Sequence, residues 1–187
     1  KSEENFWKIY LTDEKIYDLD FQYGVGNAYI DLSDLSVAKM KIESGSANVS
    51  VGYDLTSVNK CAMDTFFVKV DLGTVVATNI NLFKASTVIA EVGFGTAVLD
   101  FSEGVQGKCK VMASVGAGKL KIIIPNEDYP AIVYFKNSPL CNMSMNTSFE
   151  KVDDDVYVNR NYAPQAENLL EFNIDVALGN IVFEYAK

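Results

Sequence analysis

The 187 residues are 49% hydrophobic and 22% charged, the proportions of one globular unit large enough to bury a core. There is no histidine, and Arg160 is the only arginine, which excludes Ser-His-Asp, Cys-His and His-ligated metal chemistry and leaves a single residue for any bidentate phosphate clamp. A net charge of −9, with no basic stripe, is repelled by nucleic acid and by anionic membrane surfaces.

The chain opens on NFWKIYL, Asn5 to Leu11, which holds the only tryptophan and reads as a strand. A free tail of that composition is costly, so residues 1–20 are expected to form an N-terminal cap, with Asn5 to Leu11 packed near Phe21 and Ile30. Six segments of one shape follow: FQYGVGNAYIDL from Phe21, MKIESGSANVSV from Met40, VKVDLGTVVATNINL from Val68, IAEVGFGTAVLDF from Ile89, VMASVGAGKLKIII from Val111 and FNIDVALGNIVFEY from Phe172. In each, apolar residues alternate up to a glycine and alternate again beyond it, the period-two signature of strands. The phase reverses at the glycine. Val88, Ala90 and Val92 precede Gly93, whereas Ala97, Leu99 and Phe101 follow it, and similar reversals occur at Gly24, Gly45, Gly116 and Gly179, the last with Leu178 counted in the inward set. At Gly73 the phase reads as unbroken.

A two-residue hairpin and a corner between successive sheets of a coil both produce such a reversal, and either would use glycine for positive φ. No Asn-Gly or Asp-Gly occurs, and Gly24, Gly45, Gly73, Gly93 and Gly116 recur at near-regular intervals, as in solenoids. The expected fold is all-β, a single-stranded β-helix (β-solenoid) with Gly-centred turns spanning residues 1–187 as one domain; the alternative is an antiparallel β-sandwich. Val92, Leu99, Val115, Ile122, Val176 and Ile181 are expected in the core. Residues 125–171 break the repeat and contain all four prolines, which marks loops and edge strands. YPAIVYFKN and DDVYVNRNY still read as strands there, and Ala163 to Leu170 as a helical turn or two.

Candidate sites are few. Cys61, Cys109 and Cys141 are odd in number and lack a Cys-x-x-Cys pair, so they read as small buried residues without a disulfide. Asp153, Asp154 and Asp155 could suggest calcium, but consecutive strand residues point to opposite faces, so a solvated turn is expected and no metal or cofactor is assigned. No catalytic residue is assigned either; Asp153, Asp155 and Arg160 are the candidates should the chain cleave acidic polysaccharide. Tyr129, Tyr134, Tyr157 and Tyr162 lie in the irregular part and form the candidate ligand-binding surface, against the alternative that they pack under the loops. The pairs Gly24/Gly26, Gly93/Gly95 and Gly116/Gly118 are followed by no helix and so make no phosphate loop. No run of eighteen apolar residues is present, so no transmembrane segment is expected in this chain.

The segment VGAGKLKIIIPNEDYPAIVYF resembles the LiaF-like cell-envelope response proteins, and YGVGNAYIDLSDLSVAKMKIESGSANVSV resembles the toast-rack domain often joined to them, with a further similarity to adhesin-like β-helical proteins of bacteria. With LEFNIDVALGNIVFEY the resemblance covers most of Tyr23 to Tyr185. It implies a right-handed β-helix in an extracytoplasmic bacterial setting, periplasmic or at the cell surface, lipid-anchored through a removed N-terminus. It supplies no catalytic residue, since its pattern consists of glycines and core aliphatics, and the membrane helices usual upstream of LiaF-like modules are not in this chain. The function expected is that of a non-enzymatic envelope domain, a binding scaffold or adhesin-like module whose partner is a protein or glycan. The alternatives are a sensory module of an envelope stress response and a carbohydrate-active β-helix enzyme.

Overall fold

The computed structural model describes residues 6–136, 139–145 and 148–186. Fourteen strands are formed among them: β1 (Ile16–Asp31), β2 (Ser36–Gly52), β3 (Met63–Val70), β4 (Thr74–Thr78), β5 (Ala85–Val92), β6 (Thr96–Asp100), β7 (Cys109–Val115), β8 (Lys119–Ile124), β9 (Ala131–Lys136), β10 (Asn142–Ser144), β11 (Phe149–Asp153), β12 (Val156–Asn159), β13 (Leu170–Val176) and β14 (Asn180–Tyr185). One 3-10 turn, Ile80–Phe83, is the only helical element among the described residues. The expected turn of helix at Ala163 to Leu170 is a series of tight turns instead.

The chain is all-β, built on one large, mostly parallel sheet in the order β10-β14-β8-β6-β4-β2-β3-β5-β7-β13-β9-β12-β11, with β1 beside β2. The long strand β2 explains that order. Lys39 to Ser44 pair with β3 while Asn48 to Gly52 pair with β4, so the sheet has two arms that meet where β1 and β2 bend. Each later segment contributes one strand to each arm, in parallel register with the segment before it. The two strands flanking a glycine therefore do not pair with each other, as hairpin arms would. Antiparallel pairing is confined to β9, β12 and β11.

One apolar core lies between the arms. Val92, Leu99, Val115, Ile122, Val176 and Ile181 are all buried, as the alternation predicts. Two details of the alternation are corrected. Val68 and Val70 are buried before Gly73 and Val75 and Ala77 after it, so the phase reverses there too; Leu178 is exposed at the corner rather than inward.

The glycines also act differently from the expectation. Positive φ is found at Gly26, Gly104 and Gly107 but at none of the six repeat glycines. Two columns run along the corner instead. A Cβ on Gly45 or Gly116 would stand 3.0 Å from the carbonyl oxygen of Gly24 or Gly93, while one on Gly95, Gly118 or Gly179 would collide with the carbonyl of Gly73, Gly95 or Gly118 in the row beneath. Gly73 thus aligns with Gly95, and close approach of stacked backbones is what demands glycine. Ser44, buried at the same corner, donates from Oγ to the Ala47 carbonyl at 2.8 Å.

Beyond β8 the chain changes habit. The strand β9 does not stack on β7; it skips a place, and the vacant row is filled by β13, which pairs with β7 on one side and β9 on the other. In the second arm β14 enters between β8 and β10. The expected strands at YPAIVYFKN and DDVYVNRNY are β9 and β12. Residues 6–11 form no strand, and Phe6, Trp7, Ile9 and Tyr10 are each more than three-quarters exposed. The cap expected of Asn5 to Leu11 is therefore not formed by its described part, Phe6 to Leu11; Asn5 lies outside the described residues. Thr12 and Asp13 are drawn aside by the Tyr17 hydroxyl, which donates to the Thr12 carbonyl at 2.9 Å, and by Lys60, 3.7 Å from Asp13.

Candidate recognition surface

Alternation along β9 divides the four singled-out tyrosines. Ala131, Val133 and Phe135 point into the core, so Tyr134 points out, where it is 40% exposed. Tyr157, opposite Val133, shares the inward face and packs against the core. Tyr129 is clamped to the backbone: its hydroxyl accepts from the Val105 amide at 2.7 Å and donates to the Val105 carbonyl at 3.1 Å. Burial pushes its pKa up. Tyr129 and Tyr157 therefore pack against the core, while Tyr134 stands on the outward face, its pKa raised by burial and then by the nearby Glu171 and the half-buried Tyr162.

Strand register places Tyr134 in an outward-facing row, next to its end. Phe67, Ile89, Met112, Asn173, Tyr134 and Val156 lie side by side across six strands. The adjoining row is polar, running through Glu91, Ser114, Asp175 and Lys136, and Lys136 lies 3.8 Å from the Asp175 carboxylate. The β11–β12 hairpin rises beside these rows and encloses an open groove of about 480 Å³, with Asp154 and Asp155 at its rim. Sequence reasoning found Tyr134 but missed Ile89, Met112 and Asn173, whose signal was their position on the non-core phase of the same repeat.

The acidic run behaves as the expected turn. Asp153 ends β11, Asp154 and Asp155 form the hairpin tip with Asp155 at φ 61°, and the Asp154 amide donates to Asp153 Oδ1 at 2.7 Å. Among the described residues no group of three or more acidic or sulfur side chains is placed to hold a metal. Arg160 follows β12 at the end away from that tip. At about 3.3 Å per residue this separates it widely from Asp155, and the three residues considered for polysaccharide cleavage do not converge. Cys61, Cys109 and Cys141 form no disulfide, and burial pushes the Cys109 thiol up to about 12. Among the described residues no helix is long and apolar enough to cross a membrane.

Residues 1–81 match the family model described as the N-terminal domain of toast_rack, DUF2154. No curated protein matches the chain. Among solved structures, it is similar to the "putative cell adhesion protein from Clostridium sporogenes ATCC 15579", with a TM-score of 0.58 and 16% sequence identity over 92% of this chain and 93% of that one. At that identity the likeness is one of fold. The resemblance to toast-rack proteins thus rests on a match through residue 81, and the all-β architecture is shared, over nearly the whole chain, with the Clostridium protein.

Proposed function

We propose that the chain is a non-enzymatic right-handed β-solenoid domain of the bacterial envelope, outside the cytoplasm, that binds a protein or glycan as a scaffold or adhesin-like module. In-register parallel rows that alternate between two arms support a coil, and parallel crossover connections are right-handed in about 98% of cases. The toast-rack match and the fold likeness to a protein described as adhesive support the envelope setting. The observation that carries the binding reading is the row from Phe67 to Val156, a semi-apolar strip on the sheet that includes the outward Tyr134 and is flanked by the tip of a hairpin. Such a strip offers ring stacking to a sugar or a bed for an extended peptide.

Screening the chain against glycan and peptide arrays, then repeating the positives with Tyr134→Ala and Met112→Asp, tests this reading. Both side chains are exposed, so stability should hold while affinity falls at least tenfold. Unchanged binding by both variants would remove the groove from consideration, and release of reducing ends from any glycan, with or without calcium, would overturn the non-enzymatic assignment.

A further inference from the structure

The two ends of the strand stack are finished differently. Beyond β9 the sheet terminates in the short β12 and β11, and the second arm in the three-residue β10. At the opposite end lies β1, sixteen residues long, which among the described residues pairs with β2 alone. Its inward residues Tyr17, Leu19, Phe21, Tyr23 and Ala28 close the core but stay only partly buried. Unpaired backbone along so long an edge, beside an unfinished core, is a template for another strand. The described part of the N-terminal segment, from Phe6 on, does not cover it, because Thr12 and Asp13 are held to the side and Phe6, Trp7, Ile9 and Tyr10 stand in solvent.

We infer that this edge pairs with β1 of a second copy, antiparallel and about a two-fold axis through the corner. The phase reversal makes β1 self-complementary. Its core-facing residues are odd-numbered from Tyr17 to Tyr23 and even-numbered at Ala28 and Ile30. Any antiparallel register whose paired numbers add to an odd constant therefore sets core against core. Full overlap of Ile16–Asp31 with itself pairs Ile16 with the partner copy's Asp31, and so fixes the register. Tyr17 then meets Ile30 and Leu19 meets Ala28. On the outward face Asp18 meets Tyr29, and Asp20 meets Asn27. No two carboxylates are opposed, whereas sliding two or four residues one way brings Asp31 against Asp18 or Asp20, directly opposed like charges that destabilise a strand pair, and sliding the other way leaves Ile30 and Asp31 without partners inside β1. The axis exchanges the two arms, so the two cores join into one.

Light scattering after size exclusion should show a concentration-dependent dimer, tightened by salt because each copy carries a net charge of −9. Asn27→Asp with Tyr29→Asp, on exposed side chains, sets new carboxylates against Asp20 and Asp18 and should weaken the dimer at least tenfold. Asn27→Lys with Tyr29→Lys should tighten it. In a Cys61→Ser, Cys141→Ser background, the Asp20→Cys, Asn27→Cys double variant should oxidise to a covalent dimer while neither single variant does, since the register sets Asp20 against Asn27 and neither against itself, and within one copy the two lie on different arms. A chain monomeric at 200 µM, equal effects of the two charge variants, or a dimer lost instead on Phe94→Asp at the exposed corner would each overturn the inference. Unchanged circular dichroism checks that every variant is folded.

Discussion

The rows from β2 to β8 and the region after them use the same inward aliphatics but close in opposite ways. In the first, each segment packs on the segment just before it, so the stack grows with the chain. In the second, β9 leaves a row vacant that only β13 and β14, from the far end of the chain, can fill. A quasi-one-dimensional array tolerates loss at its end, since each row depends on its neighbours alone. Late insertion turns the last segment from an end into an interior row, and that makes it indispensable.

Deleting residues 170–186 should break this contrast most severely. It strips partners from β7, β8, β9 and β10 at once, and the expected outcome is loss of the cooperative thermal transition and exposure of β edges that aggregate. A retained sharp melt near the parent temperature would show that the two regions are equivalent. Next, Phe172→Ala should cost about 3–5 kcal/mol in urea unfolding, because its buried ring touches Phe101 at 6.1 Å and Phe183 at 5.2 Å between centroids, tying both arms together. Leu99→Ala, buried wholly within the regular rows, should cost about 2–5 kcal/mol.

Asn159→Ala is expected to have an intermediate effect. The buried Asn159 accepts from the Ala131 amide at 2.9 Å and donates to the carbonyls of Glu127 and Tyr129, so its removal should cost roughly 1–3 kcal/mol in unsatisfied backbone and speed hydrogen exchange at Ala131. Its counterpart in the regular rows, Asn59, bonds both Val37 backbone groups, at 3.0 and 2.7 Å, and the Phe83 carbonyl at 2.9 Å. Comparing Asn59→Ala with Asn159→Ala sharpens the contrast between local and long-range closure.

Smaller still is the alkaline dependence of Cys109. Its folded pKa, raised to about 12 by burial, exceeds the unfolded value, so its contribution is complete below the unfolded pKa and is lost as pH rises toward the folded one. The slope is at most about 1.4 kcal/mol per pH unit. Urea midpoints should fall from pH 8 to pH 10.5, and less steeply in Cys109→Ala. At the bottom of the scale, Asp154→Ala at the solvated hairpin tip should change stability by less than about 0.5 kcal/mol; a larger loss, reversed by calcium, would reinstate the acidic run as a metal site.

How much of this was legible varies residue by residue. Period two exposed the inward set around Leu99 and Ile122 because burial on one face of a strand leaves a pattern that needs no knowledge of the neighbour. It failed at Gly73, where Val75 and Val76 suit either face and only the row beneath selects Val75 for the core. Glycines were visible, but their reason was not: the collision that excludes a side chain at Gly95 is with Gly73, a residue in another row. Tyr134 and Tyr157 share a residue type and a neighbourhood, and only the pairing of β9 with β12 sends one out and the other in. The apolar run at Phe6 to Leu11 promised burial that the described structure does not give it, because composition states what a segment would gain from a surface and not whether one is offered.

By itself, then, the sequence determined the strands of the glycine-centred segments, most of their inward phase and the absence of histidine chemistry, all local properties of side chains on an alternating backbone. The tertiary structure alone decided that β13 and β14 enter between rows laid down earlier, that Asn159 and Asn59 lock the loops, and that Ile89, Met112 and Tyr134 share one groove. Those depend on which strand lies next to which, and nothing in a period of two distinguishes one parallel neighbour from another.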